Sequence, residues 1–163
     1  MEIMKVTIYS DGSAKGNPGN GGYGTILKYV NSKNETFELE LTEGYRYTTN
    51  NRMELMGAIV GLEELTKPCE VLVISDSQYL VNAFNNNWIW GWQKKKWMKS
   101  ANTPVPNSDL WKRLLAAMKP HQVTYEWIKG HAGHPENERC DKLAFNSADK
   151  DELLIDEGYE NNV

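Results

Sequence analysis

Four carboxylates, Asp11, Glu54, Asp76 and Asp141, fall where four separate segments of the chain turn from apolar to polar. Asp11 and Asp76 close the runs VTIYSDGS and VLVISDSQ. Glu54 lies in TTNNRMELMGAIVGLEEL and Asp141 in KGHAGHPENERCDKLAF. Acids set against apolar segments are costly to bury unless a positive charge neutralises them. All-oxygen donors suit hard divalent cations, and a pair of such ions promotes phosphodiester hydrolysis. Any one of the four could be a surface acid or a helix cap, and Asp76 between Ser75 and Ser77 has the form of a cap. Four together, two of them ending neighbouring central strands, point to a metal site. Without metal they repel one another, which raises some of their pKa values.

Other residues enter this chemistry less directly. His131 lies in a glycine-flanked loop, and histidine is the residue type suited to proton transfer to or from a leaving oxygen. His131, His134 and Cys140 lack a fourth ligand at a standard zinc spacing, and the surrounding acids favour a hard cation. Thr49-Asn50-Asn51-Arg52 opens a helix one turn before Glu54, a place where free N–H groups attract anions. Gly19-Asn20-Gly21-Gly22-Tyr23-Gly24 matches GxGxxG, but the strand-like YGTILKYV follows it where a dinucleotide site needs a helix. It reads as a glycine-rich hairpin turn.

The elements that must position these residues follow from periodicity. Met4 to Ser10, Gly24 to Val30 and Thr36 to Leu41 read as three strands joined by short turns, a β-meander. Thr48 or Thr49 caps a helix from about Thr49 to Leu65, with Met53, Met56, Ile59 and Val60 on its apolar face. Lys67-Pro68 stops it. Val71 to Ile74 has the β-branched, apolar character of a central parallel strand. A helix then runs through Phe84, and a second, rich in tryptophan, through Asn85 to Ser100. Asn107 or Ser108 caps a helix from Asp109 to Met118. Val123 to Ile128 is a fifth strand, Gly130 to Pro135 a loop, and a last helix runs to about Ser147. Strands alternating with helices imply an α/β fold with a mixed sheet.

A chain of 163 residues fits one domain, 1–163, with a core large enough to stand without disulfides. Hydrophobic residues at 40% and charged residues at 25% are ordinary for a soluble globular chain. No apolar run approaches the ~20 residues of a membrane span. MEIMKVTIYS enters a strand pattern directly, so no signal peptide is expected. Cys69 and Cys140 form no CxxC, and a reducing cytoplasm is expected. The net charge is −4, but its distribution matters more. Between Phe84 and Lys119 seven basic residues (Lys94, Lys95, Lys96, Lys99, Lys112, Arg113, Lys119) face one acid, Asp109. From Ser147 onward one lysine faces six acids. A solvated helical face explains such a basic patch as well as a polyanion does. Trp88, Trp90, Trp92 and Trp97 serve helix packing first, and with the nearby lysines offer a platform for a nucleic-acid backbone. The acidic end, from about residue 150, is expected to fray after a turn or two.

YSDGSAKGNPGNGGYG, TTNNRMELMGAIVGLEEL, ISDSQYL and IKGHAGHPENERCDKLA together resemble ribonuclease HI, the bacterial type 1 RNase H family, almost end to end. The resemblance implies an RNase H-like fold: a five-stranded mixed sheet, antiparallel meander plus parallel strands, flanked by helices and carrying a basic handle insert. It implies an endonuclease that cuts the RNA strand of RNA–DNA hybrids largely without regard to sequence, leaving 5′-phosphate and 3′-hydroxyl ends. Asp11, Glu54, Asp76 and Asp141 match the family's metal-binding carboxylates. Asp11 would bridge two Mg²⁺ ions, for which Mn²⁺ can substitute; Glu54 and Asp76 would complete one site and Asp141 the other. His131 matches the loop histidine of proton transfer and product departure. Asn17, Asn50 and Gln78 match contacts to the hybrid's minor groove, Thr49 part of a DNA-phosphate pocket, and Trp88 a handle tryptophan near the DNA strand. Lys94, Lys95 and Lys96 keep the handle basic. A single-domain cytoplasmic monomer, away from membranes, is the form expected.

Three further readings use the same residues. A nuclease acting on duplex DNA or DNA junctions also gathers acids on metal, and NNRMEL with GHAGHPENERCD argues against it. A hybrid-binding module without catalysis requires the loss of an acid, and none is lost. A domain cut from a reverse transcriptase is disfavoured by the initiating Met1 and the complete handle.

Overall fold

The computed structural model describes residues 3–161, so the first two and the last two residues lie outside the described residues. β1 (Met4–Ala14), β2 (Gly19–Val30) and β3 (Thr36–Thr48) form the antiparallel meander that the sequence predicts. β4 (Cys69–Ser75) and β7 (Gln122–Trp127) add to it in parallel, giving the order β3-β2-β1-β4-β7. This is the five-stranded mixed sheet expected.

The strands are longer than their apolar runs. β1 stays paired with β2 through Asp11↔Gly24 to Ala14↔Gly21. Gly19, Gly21, Gly22 and Gly24, read as a hairpin turn, therefore all lie within β2. Their bareness lets α5 (Pro135–Ser147) lie directly on the strand: a Cβ on Gly24 would come within 2.7 Å of Leu143 Cβ. A dinucleotide turn is excluded by this placement.

α1 (Asn50–Glu63) lies on the other face of the sheet, where Gly57 and Gly61 abut Ser10, Thr25 and Ile8. Met53, Leu55, Met56, Ala58, Ile59 and Leu62 are all buried, so the helix is enclosed on nearly every side. One face rests on the sheet and another meets α4 (Ser108–Met118), whose Trp111 and Leu114 are fully buried. Thr49 Oγ1 caps α1 by accepting from Arg52 N, and Ser77 Oγ caps α2 (Gln78–Asn85) by accepting from Leu80 N.

Two expectations are overturned. Asn85 to Ser100 is not one helix. α2 ends at Asn85, α3 spans Trp88–Lys94, and β5 (Met98–Ser100) pairs with β6 (Thr103–Pro104). Asn87, Lys96 and Trp97 take left-handed φ values of 61°, 56° and 64°, which break the helix on both sides of α3. The acidic end does not fray within the described residues. Leu154 N donates to Gly44 O and Arg46 N to Leu154 O, laying the chain beside β3 ahead of α6 (Glu157–Glu160). Asp156 is buried against Arg52. A buried cation outweighs the repulsion that acidic composition suggests.

Candidate active site

The parallel ladder between β1 and β4 ends at Ser10↔Ser75. Asp11 and Asp76 are the next residues on their strands and emerge side by side at its carboxyl end. Glu54 reaches them from the second turn of α1. Gly12 makes this approach possible, since a Cβ there would run into the backbone of Met53 and Glu54. Carboxylate oxygens of Asp11, Glu54 and Asp76 lie within 4.8 Å of one another. Asp141 stands outside that trio but lines the same open cleft of about 470 Å³. α5 is held against β1 there, with Cys140 Sγ 3.4 Å from Tyr9 O.

Among the described residues no lysine or arginine forms an ion pair with any of the four acids. Asp11 Oδ1 accepts from Gly12 N at 2.9 Å. Glu54 Oε2 is buried with no hydrogen-bond partner. Burial, reinforced by the Asp76 charge, pushes the Asp11 carboxyl up to about 8. Burial and then the Asp11 charge hold Glu54 well above the usual carboxylate range. The Asp11–Glu54 pair thus keeps a proton at neutral pH when nothing else neutralises it.

The remaining candidates are spread around the cleft. Asn50, Gln78 and His131 line it; His131 is exposed and left-handed, with φ 56°. Asn17, in the turn between β1 and β2, and Thr49, the cap of α1, are not among the residues that line it. Asn17 Oδ1 accepts from Asn50 N at 3.0 Å, and Asn50 Oδ1 accepts from Ala14 N at 2.5 Å. Asn50, Arg52 and Met53 N–H therefore donate within the protein, and Arg52 turns into a buried ion cluster. Three of the N–H groups at this helix start are thus engaged within the protein, while Asn51 lines the cleft. Trp88 and Lys94, Lys95 and Lys96 lie outside the cleft, exposed on α3 and the turn after it. The tryptophans divide: Trp88 and Trp90 are exposed, while Trp92 and Trp97 pack on the core, Trp92 at 5.4 Å from Trp111.

The chain matches the RNase H family model over residues 4–149. The chain belongs to the ribonuclease H family. It is 62% identical to a ribonuclease H of Lachnoclostridium phytofermentans over 94% of this chain and 98% of that protein. It is 50% identical to ribonuclease HI of Shewanella oneidensis over 98% of this chain and 97% of that one. Among solved structures, LC9-RNase H1, a type 1 RNase H with the type 2 active-site motif, superposes with a TM-score of 0.82 at 28% identity. That match covers 99% of this chain and 81% of the other. LC11-RNase H1, solved in complex with an RNA/DNA hybrid, shares the fold with a TM-score of 0.60 at 22% identity, over 88% of this chain and 96% of that one.

Ribonuclease H enzymes cleave the RNA strand of RNA–DNA hybrids and generally depend on divalent metal. The donor set fits such an ion. It is all oxygen, it holds excess negative charge, and it contains a buried acceptor, Glu54 Oε2, that no protein donor satisfies. Within the described residues no helix is long and apolar enough to cross a membrane. Sequence reasoning missed Gly12, Ser13, Ser77, Tyr79 and Gly130 as cleft-lining residues. Only Gly12, inside the SDGS run, carried a signal, because a glycine beside a strand-end acid marks a close approach of backbone.

Proposed function

We propose that this chain hydrolyses the RNA strand of RNA–DNA hybrids in the carboxylate cleft, as a single-domain monomer. The observation that carries the reading is the trio Asp11, Glu54 and Asp76, closed on one side by α1 and open to a cleft on the other. In this reading Asp11, Glu54, Asp76 and Asp141 would hold two Mg²⁺ ions. When bound, these ions, or Mn²⁺ in their place, supply the positive charge that lets water attack the phosphodiester and the 3′ oxygen leave, giving 5′-phosphate and 3′-hydroxyl ends.

The chain's own groups supply the rest. His131, exposed on its loop, exchanges a proton with the departing oxygen. Asn50 Oδ1 is committed to Ala14, so its Nδ2 is the group free to donate to a 2′-hydroxyl in the shallow minor groove. Asn17, locked to Asn50, and Gln78, exposed at the start of α2, extend that contact along the groove. Because these groups meet sugars rather than base edges, cutting is independent of sequence. Thr49 faces a DNA phosphate, and Trp88 with Lys94, Lys95 and Lys96 holds the DNA strand.

The deciding experiment is cleavage of a labelled RNA–DNA hybrid with Mg²⁺, beside duplex DNA, duplex RNA and an Asp76→Asn control. Cutting confined to the hybrid's RNA and lost in the control is expected. Equal cutting of duplex DNA, or hybrid binding without cleavage, would overturn the reading.

Two further outcomes follow from the same charges. Mg²⁺ at ten times its dissociation constant should stabilise the fold by about 1.4 kcal/mol, roughly 3–6 °C in melting temperature for a chain of this size. A melting curve that Mg²⁺ leaves in place at saturating concentration would contradict the site. Replacing Lys94, Lys95 and Lys96 with alanine should raise KM more than it lowers kcat and flatten the log–log salt dependence of binding by up to about 3 units. A loss confined to kcat would show that these lysines do something other than bind backbone.

A further inference from the structure

The segment that follows β7 is folded onto the residue that ends β4. Ser75 and Trp127 are register partners on the parallel strands, and Ile128 N donates to Ser75 O at 3.0 Å. Trp127 Nε1 donates to the backbone carbonyl of Asp76 at 2.9 Å. Gly130 then lies directly on the Asp76 carboxylate: a Cβ built there would stand 2.6 Å from Oδ2 and 3.3 Å from Cγ. No hydrogen bond from the described residues reaches that carboxylate. Its direction is therefore set by what it packs against.

We infer that Trp127 and Gly130 are positioning residues for Asp76. The indole N–H fixes the main chain of Asp76, and the bare Cα of Gly130 forms the wall that aims its carboxylate at Asp11 and Glu54. This rests on Asp76 being a cation ligand, as proposed above. The next residue is His131, which lines the same cleft. One seat therefore sets both the carboxylate and the start of the histidine loop. Gly130 is not in the left-handed region, so alanine fits its backbone without strain. The added methyl would meet the end of a side chain that can swing into an open cleft, so the fold survives while the ligand is turned away. Groups that orient a metal ligand without touching the metal typically contribute 10–100-fold to affinity or activity.

The test compares Gly130→Ala, Trp127→Phe and Asp76→Asn with the parent by calorimetric Mg²⁺ binding without substrate, metal-free melting, and hybrid cleavage. Gly130→Ala should keep its metal-free melting temperature, lose roughly 10–100-fold in Mg²⁺ affinity, and lose cleavage in proportion. Trp127→Phe keeps an aromatic side chain and loses the donor, and should weaken Mg²⁺ binding by a smaller factor, about 3–10-fold. In the Asp76→Asn background both substitutions should have no further effect on Mg²⁺ affinity. Should Gly130→Ala fail to fold, Trp127→Phe decides alone. Parent-like Mg²⁺ affinity in the folded seat variants, with Asp76→Asn impaired, overturns this inference and leaves the site intact. Parent-like affinity in Asp76→Asn removes Asp76 as a ligand, and the inference falls with it.

Discussion

Asp11→Asn should abolish hybrid cleavage, by about 10³-fold or more, and at the same time raise the melting temperature of the metal-free protein by roughly 4–8 °C at pH 7. Both effects come from one negative charge. In the folded chain Asp11 titrates at about 8, because it is buried and faces Asp76. Unfolded, it titrates near 3.9, as aspartate does in peptides. Between those values the native state binds the extra proton, so folding stability falls as pH rises. The contribution is complete below about pH 4 and is lost as pH passes about 8. At pH 7 the unfavourable term is on the order of 2 kcal/mol once the proton shared with Glu54 is considered. Asparagine keeps the shape and can still accept from Gly12 N, so it removes the charge without opening a cavity. Melting both proteins in chelator from pH 5 to pH 9 gives the check. The gap should widen as pH rises toward 8 and shrink on adding Mg²⁺, which only the parent uses fully. Curves that stay parallel across that range would mean that Asp11 is ionised at no cost, contrary to its burial.

The sheet was legible because each strand carries its own apolar run or alternation, and because Asp11 and Asp76 break two such runs at their carboxyl ends. Long motifs with these acids in order identified the family, and the family model and relatives agree. The elements that misled were those whose partners lie far away in sequence. Lys96 and Trp97 turn left-handed without a glycine or proline to announce it, so α3 and the β5–β6 hairpin were hidden inside a helical composition. Arg52 had the appearance of an anion-binding residue at a helix start. Its partners, Asp109 and Asp156, are supplied by residues 57 and 104 positions away. For the same reason the acidic tail read as frayed: counting charges gives the sign of a segment but not which cation it meets. Gly130 passed for loop punctuation, since the carboxylate that needs its missing side chain belongs to β4.

Arg52→Ala should destabilise the fold by about 3–5 kcal/mol, lowering the melting temperature by roughly 6–20 °C, the largest effect of any single surface-distant charge in this chain. Arg52 is 2% exposed and spends its guanidinium on two acids at once. Nε and Nη2 donate to Asp156 at 2.7 and 2.9 Å, and Nη1 and Nη2 to Asp109 at 2.9 and 2.7 Å. Thr48 Oγ1 donates to Asp156 Oδ2 at 2.7 Å as well. Truncating the arginine leaves Asp156 buried beside a hydroxyl with no cation, which costs far more than the intact pair contributes. Lysine should recover only part of the loss, since one ammonium cannot present a pair of donors to each carboxylate as the guanidinium does. The arginine also holds the Asp109 carboxyl below its usual range. That contribution is present above the unfolded value near 3.9 and fades as pH falls through the lowered one, so Arg52→Ala should flatten the acid side of the stability curve. Asp156→Leu tests who depends on whom. Paired with Arg52→Met it should be milder than either change alone, because neither charge is then stranded. Additive losses in the double variant would show that the tail docks through Leu154 and β3 rather than through this ion cluster.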